Sequence, residues 1–300
     1  MRKVVPAGLK AGPRIRALRA FSFPLSLLPV IAATASARPV TEWDWGVLAG
    51  SLALVMFSHA AGNLLNDCFD YAQGVDRPAG NGKGRGGVLS RGELSVSDVA
   101  YQAAACLLLG AAAGAYLAVK RGPGMLWFTA PAMLALYAYT GPPFRLKHHA
   151  LGEVVIFGTF GPALMLGAAY AQTGQLEWKV ALLSVPVGFA TTAVLAGNNL
   201  RDFEEDRQAG LRTLAHALGR RGAGVMYVML MAGSALGIGG IGALGLGPRP
   251  LILVPILLPL HLPVMLRAAR GKVPADIDAN AARFESVLLA VVIAAYVARW

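Results

Sequence analysis

From one end of the chain to the other, apolar runs long enough to cross a bilayer as helices keep returning, and this constrains the fold more than anything else. About 20 helical residues span the hydrocarbon core. Nine runs approach that length: residues 18–37, 45–65, 96–119, 125–140, 154–173, 180–198, 223–246, 251–266 and 284–298. The fourth and eighth are short, and the sixth to eighth contain Gly or Pro, which membrane helices tolerate. At 56% hydrophobic and 14% charged residues, the chain has too few charges to coat even two soluble domains. The expected fold is all-α and polytopic, a single membrane-embedded unit over residues 1–300. Its polar cap loops are expected at about 66–95, 141–150 and 199–222. The basic start, the apolar stretch from Phe21 to Ala33 and the small residues Ala35-Ser36-Ala37 also fit a cleavable signal peptide. With eight further spans to direct insertion, the expectation is a retained first helix broken near Pro24 and Pro29.

A net charge of +11 in a soluble chain would suggest nucleic-acid binding, but here the basic residues lie between membrane runs, so no nucleic-acid partner is expected. With the N-terminus on one side and nine crossings, that side collects 21 of the 27 Lys and Arg residues. The positive-inside rule makes it cytoplasmic. The same side holds all acidic residues except Glu42, Asp44 and Glu177, and sidedness does not require acids to gather. Their gathering calls for a chemical reason. Cys68 and Cys106, with no CxxC spacing, offer neither a disulfide framework nor a structural zinc site.

Two clusters of acids carry the chemistry. The second run ends in Asn63-Leu64-Leu65-Asn66-Asp67-Cys68-Phe69-Asp70, with Asp76 six residues further on. At 100° per residue Asn63, Asp67 and Asp70 fall within an arc of about 60°, and Asn66 lies one turn before Asp70. The sixth run ends in Asn198-Asn199-Leu200-Arg201-Asp202-Phe203-Glu204-Glu205-Asp206, where Asn198, Asp202 and Asp206 step at i, i+4 and i+8. If the helix continues, they share an arc of about 80°. Hard divalent ions take carboxylate and amide oxygens, and Mg²⁺ prefers one or two carboxylates plus water and substrate phosphates. Arg77, Lys83, Arg85 and Arg91 follow the first cluster, Arg145 and Lys147 lie after the fourth run, and Arg201, Arg207 and Arg212 surround the second. Cations interleaved with carboxylates suit a diphosphate brought in with metal.

Residues 66–70 with Gly74-Val75-Asp76, the loop Tyr139-Thr140-Gly141-Pro142-Pro143-Phe144-Arg145-Leu146-Lys147, the triplet Leu151-Gly152-Glu153 and residues 198–215 carry a resemblance. Together they resemble the UbiA superfamily of intramembrane prenyltransferases, most of all its MenA branch, the 1,4-dihydroxy-2-naphthoate polyprenyltransferases. The resemblance covers the second to sixth helices and their loops. It implies nine helices around a central cavity and a prokaryotic cell membrane. The active site would face the cytoplasm, with Mg²⁺-dependent transfer of a polyprenyl chain from its diphosphate to an aromatic acceptor. The metal set it implies is Asn66, Asp67, Asp70, Asp76, Asp202 and Asp206. Its implied catalytic residues are Asp70, Asp202 and Lys147, and its substrate contacts are Asn63, Arg77, Arg85, Tyr139, Lys147, Asn198, Asn199, Arg201 and Arg212. Tyr139, Phe144 and Phe157 are expected to line the cavity. Asn198 stands where the 4-hydroxybenzoate branch often carries Tyr, and the six-residue step from Asp70 to Asp76 matches the MenA branch. Other acceptors of the superfamily, 4-hydroxybenzoate or homogentisate, are the alternative, and a cation-coupled transporter is a more distant one. Asp70 is followed by Tyr71-Ala72, which excludes the Asp-Gly-x2-Ala-Arg spacing of the CDP-alcohol phosphotransferases. His59, one turn before Asn63, is expected to be a packed, hydrogen-bonded histidine, and His148 and His149 to be surface residues.

Overall fold

The structure, a computed structural model, describes residues 11–75 and 87–298, and every regular element among these is helical. Asp76, Arg77, Lys83 and Arg85 therefore lie outside the described residues. A short helix α1 (Ala11–Ala17) leads through a single turn into α2 (Pro24–Ala37). The long α3 (Trp45–Ala72) and α4 (Val96–Arg121) follow, then the shorter α5 (Leu126–Thr140). The next pass is α6 (Gly152–Gly158) continued by α7 (Leu164–Thr173), joined through a wider, π-helical turn at Thr159–Ala163. Then come α8 (Trp178–Arg201), the one-turn-plus α9 (Phe203–Gln208), α10 (Leu214–Ala243), α11 (Leu258–Ala269) preceded by a 3₁₀ segment, and α12 (Ile277–Val297).

Among the described residues seven helical stretches are long and apolar enough to cross a membrane. They become eight when Gly12–Ser22 and Pro24–Ala37, bent by 46°, count as one span. The ninth expected pass is α5, whose 15 residues rise only about 22 Å. It begins after the turn at Pro123-Gly124-Met125 and stops before Gly141, so its apolar run cannot lengthen at either end.

Local chemistry sets the starts of the long helices. Asp44 caps α3 by accepting from the Val47 amide at 3.0 Å, and Ser95 and Asp98 form a reciprocal capping box at the start of α4. Within α10, Gly219 adopts φ 69°, a kink that a side chain would strain.

Lipid supplies no hydrophobic drive between helices, so close backbone approach does much of the packing. A Cβ on Gly161, inside the π turn, would stand 2.8 Å from both the Gly188 Cα and the Ser184 carbonyl oxygen of α8. The main buried cluster joins α2, α7, α8, α10 and α12 through Val30, Met165, Leu183, Tyr227 and Phe284. Leu108, Val119, Leu253 and Leu260 are exposed on the outside, the surface expected of helices solvated by lipid tails. Between these packed groups the helices enclose a central cavity of about 1550 Å³.

Candidate functional site

The C-terminal turns of α3 bring Asn66, Asp67 and Asp70 to the cavity, because the helix runs unbroken to Ala72. Asn63 lies on the same wall and donates to the Leu18 carbonyl at 3.1 Å. Asp67 and Asp70 are only 4% and 5% exposed. Burial of that kind requires a partner. Lys147 reaches in from the loop after α5, its Nζ 2.5 and 2.6 Å from the two Asp70 oxygens and 2.9 Å from the Asn66 side-chain amide oxygen. Arg19, in the left-handed region at φ 51° in the bend before α2, pairs with Asp67 at 2.5 Å.

The loop carrying Lys147 turns twice through left-handed positions, Arg145 at φ 45° and Ala150 at φ 57°. Its end is tied to the segment after α9 by the Ala150 amide donating to the Arg212 carbonyl at 3.0 Å. His148, expected at the surface, is half-buried with Nε2 unpartnered. Burial, with Lys147 beside it, lowers its pKa to about 4, so it is neutral at pH 7. His149 is exposed as expected.

The second acidic cluster differs from the expected continuous stripe. The α8 helix ends at Arg201, Asp202 sits at φ −91°, ψ 9°, and the chain restarts as α9. The i, i+4, i+8 spacing thus spans a break. Asp206 still returns to the cavity, 4% exposed, alongside Asn198 and Asp202. Arg201 knits this side together. It pairs with Asp202 at 2.9 Å, donates to the Asn198 amide oxygen at 2.6 Å, and pairs with Asp278 from the start of α12. Asn199 faces the neighbouring wall and donates to Glu153 of α6 at 2.9 Å.

Several expected contacts are corrected. Arg212 is exposed and does not line the cavity. Leu211 and Thr213 are buried and line the cavity, whereas Arg212 between them faces outward. Arg207 is likewise exposed and pairs with Glu204 at 2.8 Å. Of the three aromatics, only Tyr139 lines the cavity: Phe144 is 49% exposed in the loop, and Phe157 stacks on Phe189. Phe128 and Phe160 take their places. Of the six expected metal ligands, Asp76 lies outside the described residues; among the described residues no three His, Cys, Asp or Glu side chains are gathered to hold a single ion. The described acids are divided between two poles, as the two sequence clusters imply, each with its own cations.

Sequence reasoning missed Arg19 and Asp278. Both were read only for the sidedness of their loops, although an arginine abutting an apolar run and an acid opening the last helix are costly near membrane depth. His59 is packed as expected, its ring nitrogens 3.1 and 2.9 Å from the Ser22 and Ser26 hydroxyls, its ring edge-on to Phe23 and Phe160.

Each pole offers hard oxygen donors beside fixed cations, with an apolar chamber between and below. That set suits a divalent ion and a polyanion at one end and an oily chain at the other. The model of the UbiA prenyltransferase family matches residues 26–290. The chain is 34% identical over 233 residues to UbiA prenyltransferase domain-containing protein 1 of Gallus gallus, covering 75% of this chain and 68% of that protein. The Drosophila melanogaster homolog is 30% identical over 231 residues, covering 74% and 62%, so this chain spans about two thirds of such relatives' length. Among solved structures, the apo UbiA homolog from Aeropyrum pernix K1 superposes with a TM-score of 0.70 at 18% identity, covering 93% of this chain and 98% of that one. The UbiA homolog from Archaeoglobus fulgidus bound to GPP and Mg²⁺ superposes with a TM-score of 0.64 at 18% identity, covering 95% and 99%. A digeranylgeranylglyceryl phosphate synthase does so with a TM-score of 0.64 at 19% identity, covering 96% and 98%. On the match over residues 26–290 and these relatives, the chain belongs to the UbiA prenyltransferase family and is a transferase.

Proposed function

We propose that this protein transfers a polyprenyl chain from its diphosphate to 1,4-dihydroxy-2-naphthoate, with loss of the ring carboxylate as CO₂ to give demethylmenaquinone. One observation carries the reading: two acid-bearing helix ends, each with its own cations, meet over a single apolar cavity of about 1550 Å³. The Archaeoglobus fulgidus homolog of the same fold is bound to GPP and Mg²⁺, which supports a prenyl diphosphate and a divalent ion here.

The donors fit Mg²⁺ held in its preferred manner, by one or two carboxylates per ion with phosphate and water oxygens completing the shell. Asn66, Asp67 and Asp70 would hold it at one pole, Asp202 and Asp206 at the other. When bound, Mg²⁺ supplies charge that neutralises the leaving diphosphate. Lys147, Arg19 and Arg201 put fixed positive charge where negative charge develops, which lowers the barrier without reorganisation. Below the poles the chamber excludes water from an allylic cation, and the faces of Tyr139 and Phe160 stabilise it by cation–π attraction. The 21-to-6 division of basic residues supports poles on the cytoplasmic side of the membrane. A prokaryotic cell membrane, with residues 1–300 acting as one unit, completes the proposal.

The fold is also that of a digeranylgeranylglyceryl phosphate synthase, so the acceptor rests on this chain's own residues. Asn198 lines the cavity, and an amide there leaves more room than a Tyr ring would, which favours a bicyclic acceptor. Purified protein given one polyprenyl diphosphate, Mg²⁺ and both acids is expected to prenylate 1,4-dihydroxy-2-naphthoate with release of CO₂. Preferential transfer to 4-hydroxybenzoate without CO₂ discards this acceptor and keeps the prenyl-transfer reading.

A further inference from the structure

Where α5, α6 and α8 meet, the cavity has a wall unlike the rest. Tyr139, Gly152, Leu195 and Asn199 line it. A Cβ on Gly152 would stand 3.6 Å from both the Tyr139 hydroxyl and Leu195 Cδ2, so the absent side chain leaves a shallow recess beside the tyrosine ring. Behind this wall lies Glu153, only 4% exposed. Its Oε1 accepts the Asn199 Nδ2–H at 2.9 Å, while its Oε2 is buried with no hydrogen-bond partner.

A strut between two membrane helices would be made better by apolar side chains, because a buried carboxyl with one oxygen unanswered costs stability. What Glu153 achieves instead is polarity. A carboxylate only accepts, so it commits the amide nitrogen of Asn199 and turns the amide oxygen away from itself, toward the cavity. The wall then shows a hydrogen-bond acceptor. Such a surface welcomes a phenolic hydroxyl and repels a carboxylate.

We propose that Glu153 is a positioning residue that fixes Asn199 as the acceptor for a ring hydroxyl, making this wall the subsite of the aromatic substrate. This rests on the proposed aromatic prenyl transfer. In 1,4-dihydroxy-2-naphthoate the 1-hydroxyl is closed onto the neighbouring carboxylate, so the 4-hydroxyl is the one free to donate. Its donation turns the carboxylate away from this wall, and a phenol that donates a hydrogen bond makes its ring more electron-rich and so a better nucleophile. Asn199 is adjacent to Asn198 and three residues before Asp202, so the recess lies next to the pole where the prenyl carbon is released.

The test uses the full-length protein, Mg²⁺ and polyprenyl diphosphate, with 4-hydroxy-2-naphthoate and its 4-methoxy ether compared as inhibitors of transfer. The wild type is expected to favour the hydroxyl compound by about tenfold or more, the usual consequence of leaving a buried polar group unpaired. Glu153→Leu frees the amide to rotate and should bring the ratio to within about twofold, with the KM for the prenyl diphosphate unchanged. Glu153→Gln can accept from Asn199 but can also donate to its oxygen, so it should restore the ratio in part, to a value between those of the leucine variant and the wild type. If the leucine variant does not insert, Glu153→Leu combined with Asn199→Leu leaves no polar partner stranded and carries the same expectation. An unchanged ratio in an active leucine variant, or a shift in prenyl diphosphate KM or Mg²⁺ requirement in its place, overturns the inference alone. Failure of the wild type to prenylate any hydroxyaromatic overturns the proposed function and this inference with it.

Discussion

The two acid-bearing helix ends look alike in sequence and are built differently. The α3 end is a continuous helix whose acids are answered from far away, Asp67 by Arg19 and Asp70 by Lys147. At the other end, α8 breaks at Asp202, and the answering cation is the adjacent residue, Arg201, shared with Asp278 of α12. The first pole therefore exists only when three distant segments are correctly packed, whereas half of the second is made by one turn of chain. Lys147 and Asp70 are also well shielded, with side chains 14% and 7% exposed, while Arg201 and Asp202 are at 36% and 19%. Electrostatic interactions strengthen as water is withdrawn, so the first pole should be the less forgiving of the two.

The largest effects are expected from the acids themselves. Asp70→Ala and Asp202→Ala should each lower transfer of labelled prenyl groups by on the order of a hundredfold to a thousandfold, the scale of losing a preorganised electrostatic group. Asp70→Ala should also lower thermal stability in detergent, since it strands Lys147, whereas Asp202→Ala leaves Arg201 with Asp278 and should melt near the wild type. Equal loss of stability in both variants would break the contrast between the poles. Near-normal turnover of either at saturating Mg²⁺ would remove the two-pole site altogether.

The cations come next. Lys147→Ala is expected to reduce kcat/KM for the prenyl diphosphate by about tenfold to a hundredfold without changing acceptor choice, and more than Arg201→Ala does, because its surroundings are drier. Steady-state kinetics on the two variants rank them directly, and the reverse order would mean that burial does not govern the poles. Arg19→Ala should fall between Lys147→Ala and no effect. Its side chain is 39% exposed, but it leaves Asp67 alone at 5% exposure, so kinetics and melting temperature should both decline.

How legible these parts were follows from the backbone beneath them. The spans could be read because membrane depth imposes a length, and α5 fell short because turns bound it at both ends. The placement of Asn66, Asp67 and Asp70 on the cavity wall follows from helical spacing, since α3 does not break. The same arithmetic failed as geometry beyond Arg201, where the helix stops, although Asp206 is carried back to the cavity by α9. Arg19 and Asp278 were missed since their partners are 48 and 77 residues away, a distance that no local pattern encodes. Glu153 lay in a recognised triplet, but its buried contact with Asn199 depends on how α6 crosses α8.

Arg212 marks the smallest expected effect and the limit of reading roles from motif membership. It follows the second acidic cluster in sequence, and by resemblance it belongs on the diphosphate oxygens. The structure turns it outward: Leu211 is 6% and Thr213 5% exposed and both line the cavity, while the arginine between them is exposed and does not. What the position contributes inward is its backbone carbonyl, which accepts from the Ala150 amide and steadies the loop that presents Lys147. A side-chain change keeps that bond and a backbone change does not. Arg212→Ala should therefore leave kcat/KM for the prenyl diphosphate within about twofold, the scale of an exposed surface substitution. Ala150→Pro both removes the donating amide and forbids the φ of 57° found there, so it should cost more, reducing turnover as Lys147 loses its fixed approach to Asp70. A tenfold loss from Arg212→Ala alone would return this arginine to the site and make the second pole as dependent on distant segments as the first.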